Sequence, residues 1–82
     1  MRTDYTDLMH AVQFKDTVNA YKANHKQTVE KLIEFLEEEV QELKDAYKNE
    51  RKMNALLEVA DIVVFAGMLY ETIKKEERKW KR

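Results

Sequence analysis

The run ALLEVADIVVFAGMLY, from Ala55 to Tyr70, holds only two charges in sixteen residues, Glu58 and Asp61, and both are acids. Apolar residues on nearly every side define a helix that is buried all round. The stretch is too short and too acidic for a membrane span, which takes about 20 predominantly apolar residues. This helix therefore belongs inside a protein, and two carboxylates go in with it. The remainder of the chain fits helices packed around it: there is no proline and one glycine, so the strongest helix breakers are almost absent. The fold class read from the sequence is all-α, as a single domain over residues 1–82.

Two further helices precede the apolar one. The first is expected from about Thr3 or Asp4 to about Ala23, with apolar residues in two stripes: Tyr5, Leu8, Met9 and Val12, then Ala11, Phe14, Val18 and Tyr21. Asn24 followed by Gln27 resembles a capping box and starts the second helix near His25. That helix, to about Lys48, has the clearest period, with Val29, Leu32, Ile33, Leu36, Val40, Leu43 and Tyr47 at steps of three and four. The stretch Asn49–Glu50–Arg51 is the expected connection, because asparagine tolerates the left-handed conformation that closes helices. So short a link implies antiparallel packing of helices two and three. The third helix is expected from about Arg51 to about Lys79. Two other helices per chain do not easily cover a helix apolar all round. The expected assembly is a homo-oligomer, dimer or tetramer, in which helices combine into a four-helix-type bundle.

The net charge of −1 conceals an acidic middle, with six glutamates against one lysine between Glu30 and Glu42. It also conceals a basic end, with six basic residues against two acidic from Lys74 to Arg82. This is not the uniformly basic footprint of a nucleic-acid binder, although Trp80 among those cations keeps nucleic-acid binding as a minor alternative. The absence of cysteine removes disulfides, thiolate nucleophiles and zinc–cysteine sites. No basic stretch with an apolar run and a cleavage site marks a secretion signal, and a cytoplasmic location is the expectation.

The acids of helix two are not all on its wet side. With about 100° per residue and Leu36 as zero, Glu39 falls at about −60° and Glu42 at about −120°. Glu39 is thus inside the apolar arc and Glu42 on its edge, while Glu34, Glu37 and Glu38 point more toward water. Residues three apart share a helix face, so antiparallel helices two and three can present Glu39, Glu42, Glu58 and Asp61 to one another. Like charges in a dry place cost several kcal/mol each, even after relaxation, so either something positive belongs between them or some of them are protonated. A divalent cation is the simplest answer. Oxygen donors without cysteine or a nearby histidine favour Mg²⁺ or Mn²⁺ over Zn²⁺, and Mg²⁺ points to a di- or triphosphate substrate. The structural alternative pairs Glu58 and Asp61 with a lysine or arginine of helix one or of a partner chain, for instance Lys15 or Lys22.

The segment LEEEVQEL, carrying Glu39-x-x-Glu42, is followed after 15 residues by LLEVADIVVF, carrying Glu58-x-x-Asp61. Together they resemble the MazG-like all-α nucleoside triphosphate pyrophosphohydrolases, a superfamily that includes dimeric dUTPases and phosphoribosyl-ATP pyrophosphatases. The resemblance covers roughly Phe14 to Leu69. It implies hydrolysis of a nucleoside triphosphate to the monophosphate and pyrophosphate, with Glu39, Glu42, Glu58 and Asp61 as Mg²⁺ ligands. It also implies that Glu38, completing an EExxE pattern, binds a further metal or orients the attacking water. By the same resemblance, base contacts come from the first helix, where His10, Phe14 and Tyr21 are the candidates. Two positions depart from the pattern. The tyrosine often found four residues after the second motif's aspartate is Phe65 here, and no lysine–asparagine phosphate grip is visible, leaving Lys74, Lys75, Arg78 and Lys79 as substitutes. The competing reading is a non-catalytic helical oligomerisation or regulatory module with the same fold.

Overall fold

A computed structural model describes residues 2–24, 27–77 and 80, and for 21–24 the backbone alone. It contains three helices, α1 (Thr6–Asn24), α2 (Val29–Lys48) and α3 (Lys52–Lys74), and no strand among the described residues. The all-α expectation holds. Helix α3 is the centre: α1 and α2 both pack on it, and among the described residues neither packs on the other. None of these helices is long and apolar enough to cross a membrane.

Helix α2 begins later than the sequence reading placed it. Its N-cap is Thr28, with extended backbone and a side-chain oxygen that accepts the Lys31 N–H at 3.1 Å. A threonine at that position satisfies one of the four amides a helix start leaves free. Asn24 is the last residue of α1 instead of a cap for α2, and His25 lies outside the described residues. The buried line of α2 runs through Leu32, Glu39 and Ala46. Ile33 and Tyr47, expected in the core, are 43% and 80% exposed. The packed face is therefore rotated toward the glutamate.

The α2–α3 link falls where expected, but its geometry is carried by another residue. Asn49 has φ −93° and closes α2, donating its side-chain amide to the Asp45 carbonyl at 2.8 Å. Glu50 is the left-handed residue, with φ 57°. The Glu50 N–H donates to Tyr47 O and the Arg51 N–H to Ala46 O, the paired bonds of a Schellman termination. The turn reverses the chain, and the register follows from it. Phe35 meets Phe65, ring centroids 5.6 Å apart, and Glu39 meets Glu58, so residues about equally far from the turn face each other. α2 and α3 are antiparallel.

Helix α1 lays one face on α3, through Leu8, Ala11, Val12, Lys15 and Asn19, all at least half-buried. The second apolar stripe expected there does not enter the core. Phe14 and Val18 are 58% and 50% exposed, because the helix can turn only one side to α3 and that side carries Lys15 and Asn19. Helix α3 ends at Lys74 and Lys75 forms its C-cap, a turn earlier than the expected Lys79, which is outside the described residues along with Arg78. Within one chain α3 is covered on two sides. Its third side, through Leu56, Val59, Tyr70 and Ile73, stays open.

Candidate metal centre

Each helix contributes to one point in the middle of the molecule. On α2, Glu39 sits between Leu32 and Ala46 on the buried line. On α3, Glu58 and Asp61 lie three apart, next to Ala60 and one turn before Val64 and Phe65, which are buried. One carboxylate oxygen from each of Glu39, Glu58 and Asp61 lies within 4.8 Å of the others. The Phe35–Phe65 pair, one turn from Glu39 on α2 and one turn from Asp61 on α3, forms an apolar floor beside the carboxylates. Such a surface lowers the local dielectric and raises the cost of each uncompensated charge.

The electrostatics record that cost. Burial pushes the Glu39 carboxyl up to about 9, with Glu58 and Glu42 adding through shared-proton contacts and Asp61 through its charge. Glu42 is also raised, chiefly by burial, with Glu58 and Asp61 adding and a contact from Glu39 opposing. Glu42 is more open than the other three, yet these contacts place it at the rim of the same cluster. Buried oxygens of Glu39 and Glu58, one Oε2 on each, have no hydrogen-bond partner among the described residues. A buried acceptor left without a donor is costly.

Asp61 is treated differently. Lys15 Nζ lies 3.1 Å from its Oδ2, with side chains 18% and 7% exposed. Asn19 Nδ2 donates to its Oδ1 at 2.9 Å and to the Lys15 carbonyl at 3.0 Å. The structural pairing foreseen for Lys15 is thus present, on one carboxylate of the cluster only. Asn19 was missed by the sequence reading. The available signal was its spacing, four residues after Lys15 and so on the same helical face.

The other residues singled out from the sequence stand apart from this point. Glu38 is exposed on α2, and His10 and Phe14 are exposed on α1. The Tyr21 and Lys22 side chains lie outside the described residues. A cleft of about 560 Å³ opens between the helices, lined by Val12, Asp16, Leu32, Val64, Gly67 and Met68 among others. It begins one helical turn from the Lys15–Asp61 pair, and neither His10 nor Phe14 lines it. A larger cleft of about 750 Å³ lies at the α2–α3 turn and includes Tyr47, Leu56 and Val59, but none of the four carboxylates.

Among the described residues a lysine pairs with Asp61 alone of the three carboxylates, and one buried oxygen on each of Glu39 and Glu58 lacks a donor. An all-oxygen donor set of this kind fits a hard divalent cation such as Mg²⁺ or Mn²⁺. The class defined by fold and site is a helical bundle with carboxylates from facing helices converging in its interior. The chain belongs to the phosphoribosyl-ATP pyrophosphohydrolase family, whose sequence profile matches residues 2–76. That family is part of the MazG-like all-α superfamily of nucleotide pyrophosphohydrolases, as the two acidic motifs implied. Comparison with curated proteins and with solved structures returned no match.

Proposed function

We propose that the protein is a Mg²⁺- or Mn²⁺-dependent nucleotide pyrophosphohydrolase that cleaves a nucleoside triphosphate, or a deoxynucleoside triphosphate, to the monophosphate and pyrophosphate. The observation that carries this reading is the convergence of Glu39, Glu58 and Asp61, with one buried oxygen on each of Glu39 and Glu58 that has no hydrogen-bond partner among the described residues. Glu39, Glu58 and Asp61 would hold the ion, and Glu42 at the rim would complete the set. Bound there, the ion neutralises phosphate charge and acidifies an attacking water. Glu38 is the candidate for orienting that water, its exposure on α2 leaving it free to reach a substrate. The interhelical cleft, at about 560 Å³, is within the usual range of roughly 300–1,000 Å³ for small-molecule sites and is offered as the place of the nucleoside. His10, Phe14 and Tyr21 remain candidates for base contacts only if the assembled protein folds them over a neighbouring cleft.

A homo-oligomer supports that arrangement. Leu56, Val59, Val63, Ala66, Tyr70 and Ile73 recur at alternating steps of three and four along α3, the spacing of a helix–helix seam. Four of the six are between 37% and 68% exposed. A dimer or tetramer joined along this seam would cover them and complete a four-helix-type core. A cytoplasmic site of action is consistent with a nucleotide substrate.

The test is pyrophosphate release from a panel of ribo- and deoxynucleoside triphosphates and phosphoribosyl-ATP, with and without Mg²⁺, on protein whose assembly state is read by sedimentation. Metal-dependent release from at least one nucleotide is expected, and Glu58→Gln should lower it by at least about 100-fold, the scale of a lost transition-state charge contact. Absence of release from every substrate, with a stable oligomer, would favour the non-catalytic module instead.

A further inference from the structure

Lys15 is the only cation paired with the buried carboxylates among the described residues, and it holds a single oxygen, Asp61 Oδ2, at 3.1 Å. Its neighbour on the same face is built differently. Asn19 is 7% exposed, and its amide donates both to Asp61 Oδ1 and to the backbone carbonyl of Lys15. A short side chain held at two points stays where it is. A lysine on a flexible four-carbon stem, with its ammonium at the edge of the core, does not. A divalent ion among Glu39, Glu58 and Asp61 would stand next to that ammonium, and two cations in a place of low dielectric repel strongly. One of them must yield. The cleft lined by Val12, Asp16 and Val64 starts one turn away along both α1 and α3, so the displaced ammonium has open space to move into.

We propose that Lys15 is a stand-in cation: it neutralises Asp61 while no metal is present, yields Asp61 Oδ2 to the entering divalent ion, and transfers its ammonium to a phosphate oxygen of the substrate. Asn19 remains on Oδ1 throughout and keeps Asp61 aimed at the ion. The inference rests on the metal reading of the carboxylate cluster. It makes Lys15 a phosphate-binding residue, and it couples metal entry to substrate binding through one side chain.

The test uses Mn²⁺ alone, titrated calorimetrically into the parent, Lys15→Met and Lys15→Arg proteins. Circular dichroism confirms equal helix content. Removing the competitor should tighten Mn²⁺ binding by about tenfold in Lys15→Met, a typical size for coupling between two charged ligands. Lys15→Arg should bind Mn²⁺ more weakly than the parent, because a guanidinium grips a carboxylate through two bonds and is harder to displace. This second variant decides the matter if Lys15→Met fails to fold. Inorganic tripolyphosphate, added at saturating Mn²⁺, should then bind Lys15→Met about tenfold more weakly than the parent. A parent that binds no Mn²⁺ would remove the metal reading and this inference together. A parent that binds, with Lys15→Met no tighter and Lys15→Arg no weaker, would overturn the inference alone. Unchanged tripolyphosphate affinity would overturn the transfer to phosphate.

Discussion

Glu39 is the residue on which the electrostatic account turns. Its carboxyl is pushed up to about 9 from 4.5, with burial as the first cause. An acid whose folded pKa lies above its unfolded one keeps a proton in the native state that the unfolded chain has already lost. Between about pH 4.5 and 9 the native state therefore binds more protons, and stability falls as pH rises through that window. Glu42, raised as well, adds to the same slope. In urea unfolding of metal-free protein, the midpoint should decline steadily from pH 5 to pH 9, and Glu39→Gln should flatten the decline and raise the midpoint at pH 8. A midpoint that is constant or climbs over that range would show that Glu39 is already ionised in the native protein. This residue was legible from helical angles alone, since Glu39 falls within an apolar arc whichever residue is taken as its centre. Glu58 and Asp61 were legible for a simpler reason, as the only charges in their run. Asn19 was not, because a polar residue on a helix carries no mark of which neighbour it will face. The pairing of Lys15 was seen only as one of several options, since distance between helices is not written in either one.

At the scale of the element, the α2–α3 hairpin shows what a local rule can and cannot settle. A connection at Asn49–Arg51 followed from the break in apolar period, and the antiparallel register followed from its shortness. The left-handed position went to Glu50 and not to Asn49, because the 6→1 and 5→2 bonds of the termination fix which residue must turn, and Asn49 is used earlier to close the last helical turn with its side chain. A residue with a Cβ in that conformation costs roughly 1–2 kcal/mol. Glu50→Gly should stabilise the protein by about 1 kcal/mol, less the entropy that glycine returns to the unfolded chain, read as a higher urea midpoint with unchanged slope. A lower midpoint would mean that the Glu50 side chain makes a contact worth more than the strain. The start of α2 was misplaced for a related reason. Asn24 and Thr28 are both good caps by composition, and only the length of α1 decides between them. The ends of α1 and α3 likewise depend on what they pack against, so the basic residues after Lys74 could not be assigned to helix or tail from charge alone.

For the whole molecule, two helices packed on a central α3 bring acids from α2 and α3 and a lysine–asparagine pair from α1 to one point. The all-α class and the central role of the apolar helix were readable because almost every residue of that run needs cover. The rotation of α1 was not readable, because its apolar residues are spread around the helix and the face that wins is the one bearing Lys15 and Asn19. Phe14 and Val18 stay outside as a result. The open seam of α3 is the counterpart at larger scale, since one chain supplies cover for two sides of this helix and leaves Leu56, Val59, Tyr70 and Ile73 on the third exposed.

The proposed function requires a hard cation among Glu39, Glu58 and Asp61. Its most direct test is urea unfolding of the parent and of Glu58→Gln at pH 8, each with and without Mg²⁺ at about 100 times the dissociation constant measured for the parent. The parent should gain about 2.7 kcal/mol from Mg²⁺ if the unfolded chain does not bind it, while Glu58→Gln gains less than half of that. Equal gains in both proteins, or no gain in the parent, would contradict the account.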